Sequence, residues 1–204
     1  MKWKICGMRD AENIAQIALL EPDYMGFIFW KHSARFVENR TPTLPANIKK
    51  TGVFVNALKE NIASVIATHQ LQAVQLHGEE SPEYCEEIQA LGVEVIKAFS
   101  VKDRFDFRSL TAYETVCDFF LFDTKGKLPG GNGYTFDWSL LRDYTSQKPF
   151  FLSGGIGSEE VTELKKIFKM NLPLYGIDLN SKFENKPAIK NTDLLRTFIK
   201  EILN

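Results

Sequence analysis

The chain has 204 residues, 44% of them hydrophobic, and its 25 basic and 26 acidic residues leave a formal net charge of −1, so a full core can be buried and no strong charge bias selects a partner. Acidic and basic residues are interspersed, with no long basic run and no basic-aromatic alternation, which argues against nucleic acid or an anionic membrane and for a small-molecule partner. No window approaches the ~20 apolar residues of a membrane span, and the first residues run directly into a strand pattern, so a cytoplasmic location is expected.

Short β-rich runs recur at residues 2–6, 24–29, 52–55, 73–76, 93–99, 119–122, 150–152 and 174–177, eight in all. Between most of them the apolar residues fall three and four apart, as with Ile14, Ile17 and Ala18 after the first run and Val161, Leu164, Ile167 and Phe168 after the seventh, the spacing of a helix with one buried face. Eight βα units of about 25 residues each predict an α/β fold, a single (β/α)8 TIM barrel near the small end of its size range. No Gly/Ser/Pro tract or charge block divides the chain, so residues 1–204 are expected to form one domain. Segments 42–50 and 103–114 carry the weakest helical signal. Cys6, Cys85 and Cys117 are odd in number and far apart. That fits neither a disulfide framework nor a metal-ligand pair, and three free thiols and no metal are expected.

Side chains two apart on a strand share a face, and in a barrel one face points inward. This parity places Lys4 beneath Cys6, Gln75 beneath His77, Leu121 beneath Asp123 and Gly176 beneath Asp178, so polar groups converge at the carboxyl ends of the strands, where such barrels carry their active sites. A lysine inside the barrel near Cys6 is expected to favour the thiolate. Taken alone, Cys6 is the pattern of a small buried hydrophobe, Asp123 of a helix cap or ion-pair partner, Arg35 of a solvated loop charge and His77 of a satisfied core histidine. Cys85 and Cys117 have no partner motif and read as structural. The run Ser153-Gly154-Gly155-Ile156-Gly157 follows the seventh strand, where glycines let backbone N–H groups approach an anion. A tight βα turn would use the same residues; in a barrel, however, the loops after strands seven and eight are the frequent phosphate site.

These motifs, in order, are Lys4-Ile5-Cys6-Gly7, Gly52-Val53-Phe54-Val55-Asn56, Val74-Gln75-Leu76-His77-Gly78, Phe122-Asp123-Thr124 followed by Gly130-Gly131-Asn132-Gly133, Thr135-Phe136-Asp137-Trp138, and Ser153-Gly154-Gly155. With them the chain resembles the phosphoribosylanthranilate isomerase family nearly end to end. The resemblance implies a cofactor-free Amadori rearrangement of N-(5-phosphoribosyl)anthranilate in tryptophan biosynthesis. It implies Asp123 as the general acid that opens the ribose ring and Cys6 as the general base at C2. It also implies Arg35 as the partner of the anthranilate carboxylate and Gly154 and Gly155 at the phosphate. Asn180 and Ser181 belong to the same phosphate region, and His77 and Asp178 line the pocket.

The chain departs from the family after strand eight. There Asp178-Leu179-Asn180-Ser181-Lys182-Phe183-Glu184 replaces the commoner Asp-Val-Ser-Ser-Gly-Val-Glu, and Lys182 either adds charge near the phosphate or points to solvent. A barrel lyase of the indole-glycerol-phosphate synthase type would want a catalytic lysine and glutamate at strand ends. A non-catalytic phosphosugar-binding barrel would need neither Cys6 nor Asp123. Monomer and homodimer are both open.

Overall fold

A computed structural model describes residues 1–124 and 135–203. Eight parallel strands close into a barrel in sequence order: β1 (Lys2–Ile5), β2 (Tyr24–Ile28), β3 (Lys49–Phe54), β4 (Ala73–Leu76), β5 (Glu94–Val101), β6 (Phe119–Thr124), β7 (Phe150–Leu152) and β8 (Leu174–Leu179). β8 returns to pair with β1, through partners such as Lys4 and Asp178. All eight runs read from the sequence are strands; β4 and β7 keep the expected ends and the other six are shifted. β3 starts at Lys49 rather than residue 52, because two lysines mask its first pleats. Lys50 is nevertheless buried, its ammonium donating to the carbonyls of Pro42 (2.6 Å) and His69 (3.1 Å).

One helix per strand does not hold. The described residues contain α1 (Ala11–Ala18), α2 (Lys59–His69), α3 (Pro82–Gln89), α4 (Val161–Phe168) and α5 (Thr192–Leu203). Between β2 and β3 the described chain has no helix, and Pro42 and Pro45 there disfavour helical geometry in the residues before them. Among the described residues, the β5–β6 and β6–β7 connections hold the 3-10 helices Phe107–Tyr113 and Trp138–Asp143 and no α-helix. Each begins at an aspartate, Asp106 and Asp137, whose carboxylate accepts a backbone N–H of the first turn. The α-helices use ordinary signals: Asp10 caps α1 through the Asn13 N–H (2.9 Å), and Ser81 caps α3 just before Pro82. The Gly130-Gly131-Asn132-Gly133 motif lies outside the described residues.

Outside the barrel, Phe27, Phe54, Val74 and Phe120 pack with Ile14, Ile17, Ile62, Ile88 and Leu164 of the helices in one continuous core. A separate small cluster, Tyr24, Ala73, Ile96, Ala98, Leu121 and Phe151, fills the barrel interior. Tyr24 and Phe151 meet there edge to face at 5.2 Å. Lys49 and Glu94, paired at 2.6 Å beside Tyr24, lie at the amino ends of the strands, while Cys6, Gln75, His77, Asp123 and Asp178 stand toward the carboxyl ends. After β8 the chain forms an antiparallel hairpin, β9 (Glu184–Lys186) and β10 (Ile189–Lys190). Asn13 of α1 ties the hairpin down through Lys190, donating to its carbonyl (2.9 Å) and accepting its N–H (2.7 Å).

Candidate active site

Cys6, Arg35, His77, Asp123, Gly154, Gly155, Asp178, Asn180 and Ser181 all line one cleft at the carboxyl ends of the strands, together with Gln75 and Lys182. The cleft encloses about 920 Å³, its open mouth included.

Cys6 follows β1 and is buried against β2. A Cβ on Gly26 would lie 2.8 Å from its Sγ and 3.2 Å from Lys4 Nζ, so glycine at that pleat is what lets both side chains stand inside the barrel. Lys4 does not act on the thiol alone. Its ammonium is 2.9 Å from Asp178 Oδ1, in an ion pair closed to solvent. Burial disfavours the Lys4 charge, but Asp178 and Cys6 outweigh it and hold the lysine above its ordinary value. For Cys6 the balance goes the other way: burial pushes the thiol up, and Lys4 only partly offsets that. The expectation of a favoured thiolate is therefore corrected, because loss of water outweighs a lysine whose charge Asp178 already shares. Burial also raises the Asp178 carboxyl, against the pull of Lys4.

Asp123, 3% exposed, closes β6. One carboxylate oxygen accepts the Thr124 N–H at 2.9 Å, and the other is 3.2 Å from His77 Nε2. Gly154, with φ +86°, packs directly against this residue: a Cβ there would stand 2.3 Å from Thr124 Oγ1 and 2.8 Å from Asp123 Oδ1. The β7 turn thus brings its backbone beside the acid because two successive glycines, Gly154 and Gly155 (φ +70°), adopt left-handed conformations. The Gly157 N–H is already taken by Glu160 Oε2 at 2.8 Å.

Arg35 sits in the helix-free β2–β3 connection. Its Nε and Nη2 donate to Glu184 of β9 at 2.9 and 2.6 Å, the paired geometry that suits a carboxylate. Gly7, with φ +76°, makes room for the arginine, since a Cβ there would meet Arg35 Cδ at 2.5 Å and Asn180 Oδ1 at 2.9 Å. Glu184 also accepts Lys190 Nζ at 2.6 Å, and the same ammonium donates to Asn180 Oδ1 at 2.7 Å. Burial opposes the charge on Glu184, yet Arg35 and Lys190 hold the carboxyl below its usual range. Lys190, fully buried, is depressed to about 8 by burial against the pull of Glu184. With Oδ1 engaged, Asn180 keeps its amide N–H groups for the cleft. Lys182 lines the cleft while its stem packs on Gly157.

The sequence reading quoted Gly7 and Glu184 within motifs without giving them a role, and missed Gly26 and Lys190. The two glycines follow or face motif residues whose crowding is visible only in three dimensions. Glu184 and Lys190 belong to a hairpin too short to show a period.

The model of the N-(5'phosphoribosyl)anthranilate (PRA) isomerase family matches residues 3–201. The N-(5'-phosphoribosyl)anthranilate isomerase of Phocaeicola vulgatus is 45% identical over 199 residues, covering 98% of this chain and 96% of that protein. The crystal structure of phosphoribosyl anthranilate isomerase from Thermus thermophilus superposes with a TM-score of 0.88 at 25% identity, covering 100% of this chain and 98% of the other. A phosphoribosyl anthranilate isomerase in complex with reduced 1-(o-carboxyphenylamino)-1-deoxyribulose 5-phosphate gives 0.81 at 32% identity, with coverage of 100% and 98%. With the family model matching almost the whole chain, and the barrel and cleft described above, this chain belongs to the N-(5'-phosphoribosyl)anthranilate isomerase family.

Proposed function

We propose that this chain converts N-(5'-phosphoribosyl)anthranilate into 1-(2-carboxyphenylamino)-1-deoxyribulose 5-phosphate, with Asp123 as acid and Cys6 as base. The observation that carries the assignment is the convergence of a carboxyl, a thiol, an arginine and a paired-glycine turn on one cleft. Those are the groups the substrate requires: a proton donor at the ring oxygen and an acceptor at C2 of one sugar, a partner for a benzoate and a cradle for a phosphate.

The substrate phosphate lies at Gly154 and Gly155, with Asn180 and Ser181 closing the other side, and its carboxylate meets Arg35. Asp123 gives its proton to the ribose ring oxygen; the C1–O bond breaks with its electron pair on oxygen, and an iminium forms at C1. Cys6, as thiolate, then takes the C2 proton, and the electrons shift to an enolamine. Tautomerisation yields the ketone. Acid and base come from β6 and β1, which stand apart around the barrel mouth, so each reaches its own atom without the substrate turning over.

Loss of anthranilate-type fluorescence on mixing with freshly generated phosphoribosylanthranilate tests the assignment. Wild type is expected to turn over, and folded Cys6→Ala and Asp123→Asn each to lose about 10²-fold or more in kcat, the usual worth of a positioned acid or base. Binding without turnover by the wild type would move the chain to the non-catalytic phosphosugar binders.

A further inference from the structure

His77 stands between two polar partners. Its Nδ1 is 2.7 Å from the side-chain amide nitrogen of Gln75, and its Nε2 is 3.2 Å from Asp123 Oδ2. Gln75 is 1% exposed, and among the described residues its Oε1 is a buried oxygen with no hydrogen-bond partner. An amide nitrogen only donates, so in this arrangement Nδ1 accepts and the one imidazole proton sits on Nε2, donated to a carboxylate at Asp123. That is the state left behind once Asp123 has given its proton away.

Reversing the amide puts Oε1 against Nδ1, which must then carry a proton. Nε2 is left to accept from a protonated Asp123, or to hold a second proton beside its carboxylate. Either form contains the one proton that ring opening consumes. In both orientations one amide atom of Gln75 has no partner among the described residues, so those surroundings favour neither and the imidazole decides.

We propose that Gln75 is a positioning residue for the acid: the orientation of its amide toward His77 is coupled to whether the His77–Asp123 pair holds the transferable proton. The proposal rests on the isomerase reading. During turnover the proton passes from the pair to the ring oxygen, which becomes a hydroxyl. The proton that Cys6 takes from C2 leaves to water, and water reloads the pair. The charged and titratable groups that face this pair are Asp178 of β8, its partner Lys4 of β1, and Cys6, with Arg35 and Lys182 lining the same cleft.

Gln75→Leu and Gln75→Met remove the amide, and Gln75→Glu leaves an acceptor only. In the apolar variants kcat is expected to fall about tenfold with KM within about twofold, and the alkaline limb of the kcat–pH profile to move down by about half a unit or more. Gln75→Glu, which holds a proton on Nδ1, is expected to move that limb up. The chain has three histidines, so ¹⁵N spectra of histidine-labelled protein resolve the two His77 nitrogens and follow their protonation without any substrate. A uniform loss of kcat at every pH, with His77 nitrogens titrating as in wild type, would overturn the proposal and leave Gln75 a packing residue. Absence of turnover in wild type would instead sink the isomerase reading, and the ¹⁵N result would still decide the Gln75–His77 coupling.

Discussion

Cys6 is pulled in two directions by its surroundings. As the proposed base it must be a thiolate, while burial favours the thiol, so activity and stability are expected to respond oppositely to alkali. A thiol raised above its unfolded value contributes stability that is fully present below about pH 8.5 and lost as pH rises toward the folded value. Denaturation midpoints are expected to fall above that pH in wild type and to fall less steeply in Cys6→Ser, while kcat/KM of wild type climbs over the same window. Lys4 is the group that keeps the opposition tolerable. Lys4→Met should displace the rising limb of kcat/KM to higher pH and, by leaving Asp178 charged and unpaired in the barrel, cost about 3–5 kcal/mol of stability in urea titration. The sequence placed Lys4 beside Cys6 correctly, since strand parity is a property of the chain alone. It could not reveal Asp178 as the shared partner or the near-complete loss of water around the sulfur, because both depend on how β1 and β8 close on one another.

At the level of elements, the turns and the appended hairpin carry the geometry that the strands cannot. Gly154→Ala would force a Cβ into Thr124 and Asp123 at a left-handed backbone position. It is expected to displace the acid and lower kcat about 10²-fold, as misplacements of about 1 Å do, measured beside a thermal melt that shows the barrel intact. In the hairpin, Glu184→Gln weakens the hold on Arg35 and unbalances Lys190. Steady-state kinetics should show KM rising about tenfold with a smaller change in kcat, since what is disturbed is ground-state binding of a carboxylate. The eight strands were readable because buried parallel strands are near-continuous apolar runs bounded by polar loops. The helices were readable only where an apolar stripe persists, as in α1 and α4. The 3-10 helices at Phe107–Tyr113 and Trp138–Asp143 are each under two full α-turns of amphipathic pattern and rest on aspartate caps instead. Glu184 and Lys190 were illegible for a related reason: a three-residue and a two-residue strand have no measurable period, and their charges look solvated until Arg35, Asn180 and Asn13 are folded around them.

Across the whole molecule, the barrel separates what holds it together from what it does. The plug of Tyr24, Leu121 and Phe151 and the outer core bear the apolar burial, while the cleft at the carboxyl ends of the strands holds Cys6, His77, Asp123 and Asp178. A ligand bound there should therefore stabilise by mass action without repacking anything. Reduced 1-(o-carboxyphenylamino)-1-deoxyribulose 5-phosphate at about 100 times its Kd is expected to add about 2.7 kcal/mol and raise Tm by about 5–11 °C in a thermal shift assay. Folded Arg35→Ala should show a much smaller shift at the same concentration. The β2–β3 connection, free of helix in the described structure, carries this arginine on irregular backbone, and neither the acid nor the base is attached to it. On the proposed assignment, the side chain that recognises the aromatic acid is carried by this segment, although Glu184 of β9 holds it in place. A graft that exchanges residues 30–41 would retune which aryl acid the barrel accepts while leaving its chemistry in place, a modularity that makes this one segment the natural entry point for redesign.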